Sequence, residues 1–155
     1  MRAYVRPSRH GDAESLAPRL RDADIDEIAA AAGVQPVEAL RQGFEKSLQP
    51  LTVVCTEGGV EYPIAMFGAV RESNEIGRIW LLGSYDIFKI KTDFIRQSRA
   101  WFRHVSLPFK VVTNIVDMRN HRHIRWLRWC GVRFCGVDKR GPKSIPFLEF
   151  YWRVK

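Results

Sequence analysis

Residues 120–134 read NHRHIRWLRWCGVRF, a run that concentrates four arginines, two histidines, two tryptophans and a cysteine. Such side chains support two kinds of chemistry. A zinc ion would need His121, His123, Cys130 and Cys135 to converge. On a helix, residues two apart point in widely different directions, and Cys130 falls with the apolar residues, so the pattern predicts no metal and a buried cysteine acting as a small hydrophobe. Arg122, Arg125 and Arg128 around Trp129 carry the second possibility. An aromatic ring flanked by guanidinium groups is the composition of contact surfaces, and it suits a protein partner or a nucleic acid. The bland alternative for the same arginines is a solvated helix face.

The positioning elements follow from periodicity. Ile124, Leu127 and Cys130 recur at helical spacing and predict a helix packed through that face, with His121, Arg122, Arg125 and Trp129 opposite and Gly131 ending it. "KVVTNIVDM" before it reads as a strand, and "VRFCGVDKR" and "FLEFYWRVK" after it as two more, the last placing Leu148, Phe150 and Trp152 in the core. Upstream, "RAYVRP" reads as a first strand. Asp12 is placed to cap a short helix over "AESLA", and "DADIDEIAAAAG" predicts a helix with Ile25, Ile28 and Ala29 inward, its acidic first turn favoured by the dipole. Pro36 opens another helix over "VEALRQGFEKS". The period then shifts to that of strands in "LTVVCTE", "YPIAMFGAV" and "RIWLLGS". "TDFIRQSRAWFRHV" returns to helix, with Ile95, Ser98, Phe102 and Val105 on one side and Arg96, Arg99 and Arg103 on the other. This order predicts one α+β or mixed α/β domain over residues 1–155, in which "RIWLLGS" and "KVVTNIVDM" lie side by side and parallel across a helical crossover.

Composition sets bounds on partners. A chain of 155 residues with 46% hydrophobic content suffices for one core. The net charge of +8 attracts nucleic acid, anionic lipid, acidic proteins or a phosphate-bearing cofactor without choosing among them. Acidic residues gather early, in "DADIDE" and at Glu38 and Glu45, whereas basic residues dominate from Arg96 onward. No window approaches the roughly 20 apolar residues of a membrane span, and the opening residues hold no apolar run of signal-peptide length. With three cysteines, an odd number, the expectation is a soluble, intracellular protein with reduced thiols.

"NIVDMRNHRHIRWLRWCGVRF" resembles the C-terminal motif of the GNAT acetyltransferase superfamily, carried here by Val116, Asn120, Ile124, Leu127, Gly131, Val132 and Phe134. The element order is also similar to that fold, a central mixed sheet of about six or seven strands flanked by helices. More narrowly, "HIRWLRWCGVRF" in a short basic chain resembles the GNAT-like internal virion protein A family of short-tailed phages. The resemblance implies acetyl-CoA as the cofactor, with the backbone of Leu81, Leu82 and Gly83 along its pantetheine arm, Lys89, Lys91 and Thr92 at its pyrophosphate, and Asn120 within the motif. Arg122, Arg125, Arg128 and Trp129 then face a phage or host protein, a nucleic acid, or the adenine and 3′-phosphate of the cofactor. The phage likeness further implies residence in the host cytoplasm during infection, or packaging in the virion.

Two departures bear on catalysis. The superfamily binds pyrophosphate on a glycine-rich loop whose amides open a helix, whereas "GSYDIFKIKTDF" here has Gly83 too early and Phe88, Lys89, Ile90 and Lys91 where the family has Arg or Gln and glycines. The tyrosine that protonates the departing thiolate in many members falls at Leu127, which cannot donate a proton; Tyr85 and Cys130 are the nearby substitutes. The first reading is therefore a phage-encoded, GNAT-fold virion protein acting in morphogenesis or early infection, with catalysis reduced or lost. The second is an active acetyl-CoA-dependent N-acetyltransferase. A third, a helix-turn-helix over "IDEIAAAAGVQPVEAL", suits the basic charge. It puts Ala39 and Gln42 where larger apolar residues belong, and an acidic helix beside phosphate.

Overall fold

A computed structural model describes residues 2–154, apart from the side chains at 91 and 93. Seven strands form one sheet in the order β1-β2-β3-β4-β5-β7-β6. Strands β1 (Arg2–Pro7), β2 (Leu51–Glu57), β3 (Val60–Arg71) and β4 (Ile76–Gly83) make an antiparallel meander. The β4–β5 pair is parallel, β5 being Val111–Asp117, and β7 (Ile145–Arg153) then inserts antiparallel between β5 and β6 (Arg133–Arg140). This is the mixed sheet and the parallel neighbour pair that the element order predicts.

Helices cover both faces. On one, α1 (Asp12–Leu16), α2 (Asp22–Ala32) and α3 (Pro36–Lys46) bury Leu16, Leu20, Ile28 and Leu40 against Met66, with Trp80 and Leu82 of β4 packed beside them. On the other, α4 (Lys91–Ser106) and α5 (His121–Cys130) bury Phe102, Val105, Ile124, Leu127 and Cys130 over the remaining strands. Strand β2 is buried on both faces over Leu51–Cys55, which explains why it reads as an unbroken apolar run. The apolar face expected for α5 is the buried one, and Gly131 ends that helix with φ 101°, a left-handed conformation costly for any residue with a Cβ. Phe150 is buried, and Leu148 and Trp152 pack at its side. The α2–α3 pair shares its core with the sheet rather than standing apart as a helix-turn-helix unit.

Asp12 departs from its expected role. The first helix begins after Gly11 with no side-chain cap, and the Asp12 carboxylate turns inward instead. It accepts from both terminal nitrogens of Arg6 (2.8 and 2.9 Å), from the Arg9 amide (2.8 Å) and from the Thr52 hydroxyl (2.8 Å), tying α1 to β1 and β2. No helix among the described residues is long and apolar enough to cross a membrane.

Candidate functional site

Strands β4 and β5 stay paired only over Ile76–Arg78 and Val111–Thr113, and beyond that they diverge. One further step of a parallel ladder would have the Ile115 amide donate to the Ile79 carbonyl. The Asn114 side chain is inserted there instead: its Nδ2 donates to the Ile79 carbonyl (2.6 Å) and its Oδ1 accepts from the Ile115 amide (2.8 Å). The strands therefore part where a side-chain amide is spliced into their ladder.

Two carboxylates of α2 enter the opening. Asp24 accepts from the Gly83 amide of β4 (3.0 Å), and Glu27 accepts from the Asp117 amide of β5 (2.6 Å). The Gly83 carbonyl accepts from the Arg21 amide (3.0 Å). Since successive strand residues direct their backbone groups to alternate edges, Leu81 faces the same opening as Ile79 and Gly83. Among the described residues, no protein group meets its N–H or C=O.

Asp24 is buried, ion-paired with Arg21 (2.9 Å) and approached by Asn120 Nδ2 (3.4 Å). Burial pushes the Glu27 carboxyl up to about 8; the Asp117 amide pulls it down, while the charges of Asp24 and Asp117 add to the rise. Asp117 itself resists its own burial because Arg119 bonds it (2.7 Å) and holds its carboxyl below the ordinary range. On the α5 side, burial lowers His123 to about 4, against the pull of Asp24, and its Nδ1 is buried without a hydrogen-bond partner. The His123 ring lines two cavities that open here. Ligating atoms of Asp24, Glu27 and His123 lie within 4.8 Å of one another, close enough for a metal. Two of the three also accept from backbone amides, and Asp24 is ion-paired with Arg21.

A cleft of about 680 Å³ opens between the start of α4, the outer face of α5 and the end of β4, with Leu81, Gly83 and His123 at its floor and Phe88, Arg122, Arg125 and Trp129 on its walls. A second cavity of about 300 Å³ reaches Glu27, His123 and Leu81 and continues toward Ile28, Ala31 and Trp80 on the α2–α3 side. The two meet at Leu81 and His123.

A mixed seven-stranded sheet with flanking helices is shared with several solved proteins. The chain superposes on a GNAT-family acetyltransferase from Bacillus anthracis with a TM-score of 0.72, at 11% identity over 99% of this chain and 96% of that one. An aminoglycoside N(6′)-acetyltransferase from Legionella pneumophila gives 0.70, at 10% identity over 99% and 92%. Spermidine N-acetyltransferase from Vibrio cholerae, solved with CoA and spermine, gives 0.67, at 8% identity over 97% and 95%. The fold is that of the GNAT acetyltransferases. No protein-family model and no curated protein matches the chain.

Within this GNAT fold the residues singled out by sequence divide. Leu81 and Gly83 line the cleft, as do Arg122, Arg125 and Trp129. Leu82 packs on the opposite face of the sheet, toward α1–α3. Lys89 is drawn to Asp86 (3.1 Å) and is not among the cleft residues. The Lys91 side chain lies outside the described residues. Thr92 is no cap, because α4 starts at Lys91 behind Ile90. Asn120 serves the site indirectly, through Asp24. Arg128 turns to the Phe134 ring (5.6 Å), away from the cleft. The two substitute acids stand differently: Tyr85 is exposed and keeps its own hydroxyl proton, whereas Cys130 is withdrawn into the core. The Tyr85 hydroxyl accepts from the Asp22 amide (3.1 Å), and Cys130 is buried in the core with its thiol pushed up to about 12 by that burial. His121 and Cys135 are exposed, so the four candidate zinc ligands do not converge.

Of the candidates Asp24, Glu27 and His123, sequence reasoning passes over the two carboxylates and considers His123 only as a zinc ligand. A signal existed for two of the three. Asp24 stands four residues before buried Ile28, and His123 four before buried Leu127, so both lie on the inward stripe of their helices.

Proposed function

We propose that the protein is an acyl-CoA-dependent N-acyltransferase whose acyl donor lies in the cleft at the parted strands. The observation that carries this reading is the unmatched Leu81 backbone at the opening, with Glu27 and His123 beside it. Leu81 and the orphaned His123 nitrogen fit a ligand carrying amide groups, which the pantetheine arm has; because Asp24 and Arg21 engage Gly83, the pairing centres on Leu81. The bound thioester would supply the electrophilic carbon and a thiolate leaving group. Glu27 is the group suited to take a proton from an acceptor ammonium, since a carboxyl near 8 exchanges protons close to neutral pH. His123 stays neutral there and offers an open ring nitrogen.

Calorimetric titration with acetyl-CoA and CoA, followed by thiol-release assays over a panel of amines, tests the reading. Micromolar binding is expected, with turnover that rises with pH through about 8 and falls by roughly 10²-fold or more in Glu27→Gln. No binding at millimolar acetyl-CoA would end it.

A second reading keeps the scaffold for its surfaces alone, as a GNAT-fold internal virion protein of phage type acting in morphogenesis or early infection. It is favoured by the loop before α4, which forms a 3-10 turn over Tyr85–Phe88 with no residue in a left-handed conformation, and by Leu127 buried at the position of the expected acid. The phage source itself rests on the likeness of residues 123–134. Absence of cofactor binding, together with capture by a virion protein, would select this reading.

A further inference from the structure

The loop before α4 is poorly built for phosphate. A phosphate-cradling loop turns several amides toward one point, which needs glycine or left-handed residues. Residues 84–91 contain neither; Ile90 is buried, and Lys89 is committed to Asp86. The charge on the cleft wall comes instead from α5. Arg122 and Arg125 line the cleft, and among the described residues neither has a carboxylate within salt-bridge distance. The Arg122 guanidinium rests 4.1 Å from the centroid of the Phe88 ring, an aromatic stop that holds it at the mouth. Trp129 stands at the rim, 39% exposed. Arg99 steadies it by stacking 4.2 Å from the ring centroid and donating to the Trp129 carbonyl (2.7 Å).

Building on the acyl-CoA reading, we infer that Arg122 and Arg125 grip the phosphates of the nucleotide end of the ligand and that Trp129 is the platform for its purine. In this chain phosphate recognition has moved from loop amides to two side chains of α5. A planar guanidinium matches a phosphate with paired N–H groups, so an arginine pair replaces what the absent glycines would provide.

The test is calorimetry on the full chain with CoA, dephospho-CoA, pantetheine and 3′,5′-ADP, using Arg122→Ala, Arg125→Ala, Trp129→Ala and Lys89→Ala. Each arginine change should weaken CoA and 3′,5′-ADP roughly tenfold or more and flatten their salt dependence while leaving pantetheine unaltered, and Lys89→Ala should bind all four ligands like the parent. Thermal melts of the exposed-site variants should match the parent. Weakening by Lys89→Ala but not by the arginine changes would overturn the inference, as would equal affinity for CoA and pantetheine. If 3′,5′-ADP binds through Arg122 and Arg125 but acetyl-CoA and pantetheine do not bind, the arginine site stands and the acyltransferase reading falls. If a single-stranded oligonucleotide binds through these arginines and neither CoA nor 3′,5′-ADP does, the face is a nucleic-acid surface and the inference fails.

Discussion

Glu27 and His123 should leave opposite marks on stability, and Glu27→Gln separates them. The Gln side chain keeps an oxygen for the Asp117 amide, so the change removes the titration while preserving the contact. In the folded chain Glu27 holds its proton up to about 8, against 4.5 when unfolded, so the native state binds a proton that the unfolded state has lost and stability falls with rising pH across that window. His123 does the reverse: its folded value of about 4 lies below the unfolded 6.5, so stability is lost as pH falls from 6.5 toward 4. Between 4.5 and 6.5 the two slopes cancel, leaving a plateau. From 6.5 to about 8 only Glu27 acts, and at 1.36 kcal/mol per unit the loss over roughly 1.5 units is about 2 kcal/mol. In Glu27→Gln the plateau becomes a rise of about 3 kcal/mol from pH 4 to 6.5, and the alkaline fall disappears. Urea denaturation followed by tryptophan fluorescence at half-unit pH steps measures both curves. Their difference cancels every other titrating group, Asp12 and Asp117 included. A difference that stays flat from 6.5 to 9 would refute the burial argument for Glu27.

Two further changes test how the opening is built. A Cβ at Gly43 would lie 2.5 Å from the Trp80 ring, which Ser47 anchors through the indole nitrogen (2.8 Å), so Gly43→Ala should destabilise by about 1–3 kcal/mol although alanine ordinarily favours a helix; an unchanged or raised denaturation midpoint would contradict this packing. Asn114→Ala strands the Ile79 carbonyl and the Ile115 amide, and a loss of about 1–3 kcal/mol together with weaker acetyl-CoA binding is expected. Wild-type stability and affinity in that variant would mean the amide splice does not hold the strands apart.

The architecture was legible because its signals are local. The change of period after Pro50, the helical stripe Ile124–Leu127–Cys130 and the stop at Gly131 each lie within a few residues, and each corresponds to an observed element. The chemistry was not legible, because its pairs are distant: Glu27 meets the amide of a residue 90 positions away, and Asp24 one 59 positions away. An acidic first turn in α2 is favoured by the dipole of that helix alone, whereas the parted strands expose backbone donors that draw Asp24 and Glu27 inward. His123 is unsuited to share a zinc ion with His121, yet the same helical geometry that separates the two rings puts His123 on the buried stripe. Asn114 looks like an ordinary polar residue in a strand, since the ladder it interrupts involves a partner strand on the far side of α4.

The spliced amide at Asn114 also makes the sheet a jointed object. The four strands of the meander and the three of the C-terminal half share only the short ladder at Ile76–Arg78, and beyond it the edges are bridged by Asn114 and by α2, which reaches one half with Asp24 and the other with Glu27, while the core under α4 and α5 runs across both halves. The aperture is thus gauged by the lengths of three side chains. Lengthening one strut by a single methylene, as in Asn114→Gln, should change the width of the slot, whereas Asp24→Glu would also shift its ion-pair partner Arg21 on the cleft wall. In such a molecule the crossbars are themselves part of the lining, Asp24 in one cavity and Glu27 and Asn114 in the other, so a strut that is changed is also a wall that is changed.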